Sequence, residues 1–429
     1  MNKKLFLLAM CILASSSILS ARISKKKLLT KICTTQNAVN CLCKSVKTLE
    51  SSVNSLEDSV ETIESRLDVV ESEIDELEPR IDILEEIAGT PISETTTINS
   101  DGNYIVQEDF NGCIIINASD VTLNLNKRTI TSNCAPDPVI TVASDRNNIV
   151  IKDGTIEGEG TNTGIKLNGN NTDCTIYGVN IAQCDRGIDI DAAEKILVEH
   201  CIVKDCTTYG ISFLNSNTCE VKYCQVLDVN TTEEFAAFYV NYQSHFFGGD
   251  ITFFNCIVKD ITSTADVKGF FLNSADLIDP KGSGFSIDNC KVENINADNI
   301  AGIFIAAIGV NVTDCLITKL NASSSALGIF LFGPGNSDLC AVNNVITNFI
   351  SAGGAGSARG INTLISSNDH CVAGNTIEGI NPPGGPGVAI DAGTNTEVIL
   401  NASINNSANA IAIGGAPIVS GTDGNRIVN

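Results

Sequence analysis

The sequence predicts an all-β solenoid, a parallel β-helix, that follows an N-terminal α-helical coiled coil. Two strand-like motifs recur through residues 95–429, and a heptad pattern of apolar residues runs through residues 42–89. The composition agrees, because 43% of the 429 residues are hydrophobic, 35 are Gly and none is Trp. Small and β-branched residues of this kind favour short strands and tight turns.

The first repeated motif places an Ile or Val after a short strand-like segment once every 22 to 34 residues. Its core positions are Ile130, Ile156, Ile181, Val203, Val226, Val258, Val292, Ile317, Ile346, Ile377 and Ile404. The second motif begins at Gly164, Gly187, Gly210, Ala237, Gly269, Gly302, Gly328, Gly360, Gly387 and Ala410. Two strand columns at this spacing predict coils stacked along one axis, each burying its inward residues against its neighbours.

The start of the repeats also resembles a known superfamily. The segment from Asn103 to Ile130, NYIVQEDFNGCIIINASDVTLNLNKRTI, is similar to the opening coils of the pectate-lyase-like right-handed parallel β-helix proteins. This resemblance implies a right-handed parallel β-helix over residues 95–429. It implies no particular activity. The repeats themselves argue against a leucine-rich repeat, because their core residues are Ile, Val and Cys, and against a propeller, which would need four strands in each unit and longer units.

The heptad pattern predicts the coiled coil. Its apolar positions alternate by three and four without interruption: Val46, Leu49, Val53, Leu56, Val60, Ile63, Leu67, Val70, Ile74, Leu77, Ile81 and Leu84. Mostly β-branched residues in one core column and mostly Leu in the other favour a parallel dimer, with a trimer as the alternative. A helical hairpin folded on itself is the competing interpretation. Cys33, Cys41 and Cys43 precede the rod and are candidates for interchain disulfides.

The N-terminus and the charge predict an exported protein. Residues 1–21 have the basic start and apolar run of a signal peptide, and residues 22–41 form a basic tail that contains Cys. After residue 21 no apolar stretch is long enough to span a membrane, so we expect an extracytoplasmic mature chain, secreted or at the cell surface. The net charge of −23 disfavours nucleic acid and anionic membrane surfaces as partners.

The cysteines fall into the repeat columns. Of the 17 cysteines, Cys201, Cys224, Cys256, Cys290 and Cys315 share one inward column, which Asn344 and Asn375 continue. Neighbouring side chains in such a column lie about one strand spacing apart, which is longer than the β-carbon separation in a disulfide. We therefore expect stacked thiols, with bridged pairs as the alternative. Cys113 and Cys134 are the candidates for a disulfide.

Candidate site residues lie on the outer faces of the coils. In GIDID, the two Ile point inward, so Asp189 and Asp191 lie outward about 7 Å apart, where with Glu194 they could hold calcium or act as an acid/base pair. The competing interpretation is a solvated face with ion pairs to Lys166 and Arg186. Tyr239, Tyr242 and His245 could line a sugar-binding shelf.

These residues favour a non-catalytic function. Polygalacturonases share an Asn-Thr-Asp, an Asp-Asp, a Gly-His-Gly and an Arg-Ile-Lys, of which only Asn171-Thr172-Asp173 occurs here. We expect an oligomeric stalk-and-head adhesin or glycan-binding structural protein without a cofactor, whose partners are its own copies and glycans or a host surface. The alternative is a polysaccharide lyase or glycoside hydrolase of the pectate-lyase-like or tailspike-like type, with calcium as a possible ligand.

Overall fold

The computed structural model describes residues 89–134, 136–242, 250–273, 284–332, 335–352, 358–363, 367–380, 388–392, 396–399, 402–404, 411–413, 416–417 and 426–428. All of them belong to one compact unit, Glu86–Asn429. The expected signal peptide, the tail, the coiled-coil seam and His245 lie outside these residues. Within these ranges, no helix has the length and hydropathy to cross a bilayer.

The described chain is a parallel β-helix in which each coil contributes a strand to three parallel sheets in turn. Sheet 1 contains β4 (Phe110–Asn111), β7 (Thr129–Thr131), β14 (Ile202–Lys204), β17 (Gln225–Thr231), β20 (Ile257–Ser263), β27 (Val345–Ser351), β30 (Thr376–Ile380), β33 (Ala402–Ile404) and β36 (Arg426–Val428).

Sheet 2 follows it along the chain. Its strands are β2 (Thr96–Ile98), β5 (Ile114–Ile116), β8 (Ile140–Val142), β10 (Thr163–Leu167), β12 (Arg186–Asp191), β15 (Tyr209–Leu214), β18 (Phe235–Asn241), β21 (Val267–Asn273), β28 (Ala358–Thr363), β31 (Val388–Ala392) and β34 (Ile411–Ile413). The short β35 (Ala416–Pro417) pairs antiparallel with β34.

Sheet 3 completes each coil. Its strands are β1 (Thr90–Ile92), β3 (Gly102–Val106), β6 (Val121–Asn124), β13 (Glu194–Glu199), β16 (Cys219–Lys222), β19 (Ile251–Phe254), β22 (Phe285–Asp288), β24 (Val310–Thr313), β26 (Gly335–Val342), β29 (Ser367–Ala373) and β32 (Thr396–Ile399). Four long strands turn a corner. β9 (Ile149–Glu157) and β11 (Thr172–Ala182) join sheet 3 to sheet 1, and β23 (Lys291–Ala306) and β25 (Leu316–Phe332) join sheet 1 to sheet 2.

The core fills the inside of the coils because side chains alternate between the two faces of every strand. In the coil that starts at Glu194, the strands turn Ile196, Val198, Val203, Ile211 and Phe213 inward, and all are buried. The partners above and below are again Ile, Val, Phe or Cys, so each coil covers the apolar residues of the next one. Parallel pairing in constant register therefore produces one continuous core.

A residue in the left-handed conformation makes the sharp corner between sheet 3 and sheet 1. This corner is occupied by Asp153, Gly178, His200, Tyr223, Asn255, Asn289, Asp314, Asn343 and Gly374, all with positive φ. Asn, Asp and Gly adopt this conformation more easily than other residues do. The next residue on each coil points inward, and it is the column that carries the stacked cysteines and then Asn344 and Asn375.

The glycines of the second motif allow the coils to approach closely at the start of each sheet 2 strand. A β-carbon on Gly187 would lie 2.5 Å from the carbonyl oxygen of Gly210. The structure corrects the sequence alignment near the end, because Ile361 pairs with Ile390. Ala389, and not Gly387, therefore occupies the place above Gly360. A similar shift follows in sheet 1, where Ile377 pairs with Ser403 instead of Ile404.

Candidate functional site

The outer face of sheet 2 carries a continuous row of aromatic side chains, which we call the outer aromatic strip: Tyr209, Tyr239, Phe271, Phe304 and Phe330. Strand register aligns Tyr239 with Phe271, Phe271 with Phe304 and Phe304 with Phe330, one on each successive coil. Tyr209 lies on the preceding coil in register with Ala236, three residues before Tyr239. All five are half-buried.

The rings of the strip contact one another from end to end. Tyr209 and Tyr239 stack with centroids 4.4 Å apart, whereas Phe271 and Phe304 meet at 90° with centroids 5.1 Å apart. The Phe304 and Phe330 centroids are 4.8 Å apart. In a perpendicular contact one ring points its edge at the other, so its partner does not cover the faces of the first ring. The centre of the strip can therefore present an aromatic face.

Cationic side chains border the strip. The Arg186 guanidinium lies 5.3 Å from the centroid of the Tyr209 ring, and the Lys268 ammonium lies 4.8 Å from the centroid of Phe271. At the far end, Arg359 Nε is 3.3 Å from Asp391 Oδ2. The strip is therefore an apolar surface with hydrogen-bond donors along its edge.

Asp189 lies beyond the tyrosine end of the strip, in register with Lys166 on one side and Ser212 on the other. Only 5% of the residue is exposed. Its Oδ2 is 3.1 Å from Arg186 Nη1 and 3.8 Å from Lys166 Nζ, and its Oδ1 accepts a 2.7 Å hydrogen bond from Ser212 Oγ. The expected ion pairs to Lys166 and Arg186 are present, but the Asp189 carboxylate is buried and not solvated, while the two cationic side chains remain about a third exposed. This carboxylate is held in place by three partners.

Asp191 is two residues further along the same strand and is more exposed than Asp189. Burial raises the pKa of its carboxyl group, and the nearby Asp189 charge raises it further, while Lys166 acts against this shift. Glu194 does not join them in a cation site, since no group of three His, Cys, Asp or Glu side chains in the described part of the chain could hold a metal ion. Glu194 instead lies 3.9 Å from Lys195, and half of its side chain is exposed.

The structure places the residues of the expected sugar-binding shelf in different environments. Tyr239 belongs to the outer aromatic strip, and burial together with Tyr209 raises its pKa to about 12. Tyr242 is 3% exposed and its hydroxyl donates to the Ser216 carbonyl oxygen. Tyr242 is therefore a core residue and cannot line a surface shelf.

Sequence reasoning missed the phenylalanines of the strip. Phe271, Phe304 and Phe330 are the third residues of the second motif, in GFFL, GIFI and GIFL. Because the residues on either side point inward, this place points outward, and three consecutive coils fill it with Phe. An apolar residue repeated at an outward position was the signal.

Two cysteine arrangements are also present. Cys113 and Cys134 form a disulfide. Cys201, Cys224, Cys256, Cys290 and Cys315 are buried thiols stacked on successive coils.

Comparison with known proteins gives a family-level likeness. Residues 90–258 match the family model described as "Right handed beta helix region". No curated protein matches the chain.

Several solved structures share the general shape. The A-module of the mannuronan C-5 epimerase AlgE6 from Azotobacter vinelandii is 14% identical with a TM-score of 0.40, over 75% of this chain and 93% of that one. The catalytic domain of a GH87 α-1,3-glucanase in complex with nigerose is 9% identical with a TM-score of 0.40, over 80% of this chain and 68% of that one. The A-module of AlgE4 from the same bacterium is 15% identical with a TM-score of 0.36, over 81% and 94%. At these scores none of them assigns an activity to this chain.

Proposed function

We propose that this protein is an exported, non-catalytic glycan-binding protein whose β-helix head binds saccharides along the outer aromatic strip. The observation that carries the proposal is the row of five outward rings on consecutive coils, from Tyr209 to Phe330, with polar and cationic groups at its edge. Binding sites commonly combine apolar and aromatic lining with a few polar groups that fix orientation.

The chemistry of the strip suits a saccharide chain that lies along the solenoid axis. A pyranose ring has C–H groups that pack against aromatic carbon, and hydroxyls that need hydrogen-bond partners. Phe271 and Phe304 supply the first kind of contact, and Lys268 supplies a donor beside them. Arg186 and Arg359 are already paired with carboxylates, so the local charge does not strongly favour a polyanion.

The predicted coiled coil would add avidity. Two or three heads on one parallel stalk would bind a surface that carries many glycans far more tightly than one head does, because the second contact becomes intramolecular. A signal peptide and an acidic mature surface support display outside the cytoplasm. The sequence supports both features, and the assembly belongs to the proposal.

A glycan array with the full-length protein tests the proposal. Phe304→Ala should weaken binding to any positive glycan about fivefold, because one aromatic contact is worth on the order of 1 kcal/mol. Leu316→Ala is the matched control, since Leu316 is also an outward apolar residue (36% exposed) but lies on sheet 1. Equal binding by both variants and the wild type would remove the strip from the site.

Asp191 supports a second candidate function, a glycoside hydrolase or lyase. Two neighbouring carboxyl groups in unlike environments are a feature of acid/base pairs, and the raised pKa of Asp191 fits a proton donor. Incubating the protein with each bound glycan and analysing the products by mass spectrometry would separate the two candidates. Product that is formed by the wild type and lost in Asp191→Asn would establish the enzyme and defeat the non-catalytic proposal.

A further inference from the structure

A second group of aromatic side chains lies on the corner between sheet 3 and sheet 1, away from the outer aromatic strip on sheet 2. We call Tyr177, His200, Tyr223 and Phe254 the corner stack. The His200 and Tyr223 rings are parallel with centroids 4.9 Å apart. Tyr177 meets His200 at 75° and 5.5 Å, and Phe254 meets Tyr223 at 83° and 5.9 Å. One ring therefore lies on each of four successive coils.

The backbone does not need aromatic residues at this corner. Tyr223 has φ of 55° and His200 has φ of 54°. The left-handed conformation is unfavourable for a bulky residue such as Tyr. On the next four coils the same place is filled by Asn255, Asn289, Asp314 and Asn343, which adopt this conformation more readily. A residue kept in an unfavourable conformation at the surface indicates a role other than forming the turn.

The corner stack is accessible. Tyr177 is 40% exposed and Tyr223 is 41% exposed, which places both among the most exposed large hydrophobic residues that the structure describes. About half of the His200 side chain is also exposed. Rings that served only to stabilise one another would be better covered by their neighbours.

Most of the charged side chains around the corner stack are paired. Glu199 Oε1 is 3.9 Å from His200 Nε2, Lys222 pairs with Glu220, and Lys152 Nζ is 3.9 Å from Asp153 Oδ2. The surface thus offers aromatic carbon, hydroxyls, an imidazole, two lysine–carboxylate pairs and the carboxylate of Glu199, whose histidine partner is charged only when protonated. A polyanion or a polycation would gain little here, whereas a neutral ligand with C–H faces and hydroxyls meets complementary groups.

We propose that the corner stack is a second saccharide-binding surface, which takes a neutral oligosaccharide lying along the solenoid axis from Tyr177 to Phe254. The proposal rests on the proposed function only for its ligand class, because the site, the residues and the sheet are different. Two surfaces on one head would let a single protein bridge two chains or hold one chain at two places.

His200 provides a direct readout of this surface. The chain has only 3 histidines, so full-length protein with ¹³Cε1-labelled histidine gives few signals, and His200→Asn assigns the one from the corner. The probes are cellohexaose, laminarihexaose, xylohexaose, maltohexaose and mannohexaose, with affinity measured in parallel by calorimetry. We expect at least one of them to shift the His200 signal, in the wild type and equally in the strip variant Phe304→Ala.

Substitution gives the second measurement. Tyr223→Asn restores the residue type found on later coils, so it should fold normally and weaken binding of the probe that shifts His200 about tenfold. Asp314→Asn is the matched control at the same corner, outside the stack, and should bind as the wild type does.

The outcomes separate the two surfaces. If probes bind and Phe304→Ala weakens them, but His200 never shifts and Tyr223→Asn binds normally, the corner proposal fails and the proposed function stands. If His200 shifts and Phe304→Ala has no effect on any binding, the strip fails and the corner stands. If no probe binds at all, the corner proposal is overturned.

Discussion

The inward-pointing residues that follow the corner between sheet 3 and sheet 1 form one column with two kinds of side chain. Its middle coils carry thiols, from Cys201 to Cys315, and its later coils carry the carboxamides of Asn344 and Asn375, all of them buried. Both kinds of side chain can donate a hydrogen bond to the backbone at the same place. They face a strand carbonyl oxygen of the preceding coil, and a buried carbonyl group requires a donor.

The hydrogen bonds differ in strength. Cys224 Sγ–H donates to the Val198 carbonyl oxygen at 3.5 Å, a weak bond. Asn344 Nδ2 donates to the Val312 carbonyl oxygen at 3.0 Å, and its Oδ1 accepts from the Cys315 backbone N–H at 3.0 Å. The amide therefore makes the stronger hydrogen bonds, whereas a thiol makes weaker ones, such as the 3.4 Å contact of Cys290 Sγ with the Cys256 backbone N–H, and contributes mainly apolar volume. The comparison teaches that one fold position accepts either hydrogen bonding or packing as its main source of stability.

Alkaline pH should produce the largest difference in stability between the coils that carry thiols and the coils that carry asparagines. Burial raises the pKa of Cys219 to about 12 and that of Cys174 to about 11, and it raises the pKa values of Cys224 and Cys290 well above the usual range. A raised pKa in the folded state stabilises the fold below the unfolded pKa, near pH 9, and this contribution is lost as the pH rises toward the folded value. Each such thiol should cost about 1.4 kcal/mol of unfolding free energy per pH unit in that window.

Urea denaturation of the wild type and of Cys224→Ala/Cys290→Ala between pH 8 and pH 10.5 measures this effect. Tyrosines and lysines titrate alike in both proteins, so the difference in slope reports on the two removed thiols and on Cys201, whose pKa the hydrogen bond with Cys224 lowers. The double variant should lose stability less steeply above pH 9. Identical slopes would mean that these thiols ionise as easily in the folded protein as in the unfolded chain.

Asn344 should be the most sensitive single position of the column. Asn344→Ala removes the donor to Val312 and the acceptor for Cys315, and each buried group left without a partner costs about 1–3 kcal/mol. We expect a loss of about 3 kcal/mol or more in urea denaturation. Asn344→Cys, which continues the thiol part by one coil, should lose roughly half as much, because the thiol still offers a weak donor. Equal losses would show that volume alone matters at this coil.

The repeats determined most of what could be predicted. The two columns fixed the solenoid, the inward cysteines and the outward positions of Asp189 and Tyr239, because the strand period of two assigns every residue to a face. The burial of Asp189 could not be predicted, since it depends on Arg186, three residues earlier on the same strand, and on Ser212 of the next strand packing against its carboxylate. Tyr242 was misplaced although the alternation continues one residue past the end of the strand: Phe238, Val240 and Tyr242 all point inward.

Cys256 tests the packing side of the comparison. Its Sγ–H donates to the Val221 carbonyl oxygen at 3.4 Å, and its side chain is fully buried. Cys256→Ala removes one heavy atom and one weak bond, so the unfolding free energy should fall by about 1–1.5 kcal/mol. The measurement is the urea midpoint at pH 7. Cys256→Ser separates the two contributions, because it keeps a donor but places a polar hydroxyl in the core. A smaller loss in the serine variant than in the alanine variant would contradict packing as the main contribution.

The smallest effect should come from moving the boundary between the two chemistries. In Cys315→Asn, the new amide can donate to the Ile287 carbonyl oxygen, which now accepts from Cys315 Sγ at 3.5 Å, and its oxygen can face the Cys290 backbone N–H, as Asn344 faces Cys315. Two stronger bonds against a small increase in volume should change stability by less than about 1 kcal/mol, in the stabilising direction. A matched Cys224→Asn, deeper in the thiol part, controls for volume. Destabilisation of both variants by more than about 1 kcal/mol would show that the thiol coils leave too little room for an amide. The space inside the coils, and not hydrogen bonding, would then decide which coils carry Cys and which carry Asn.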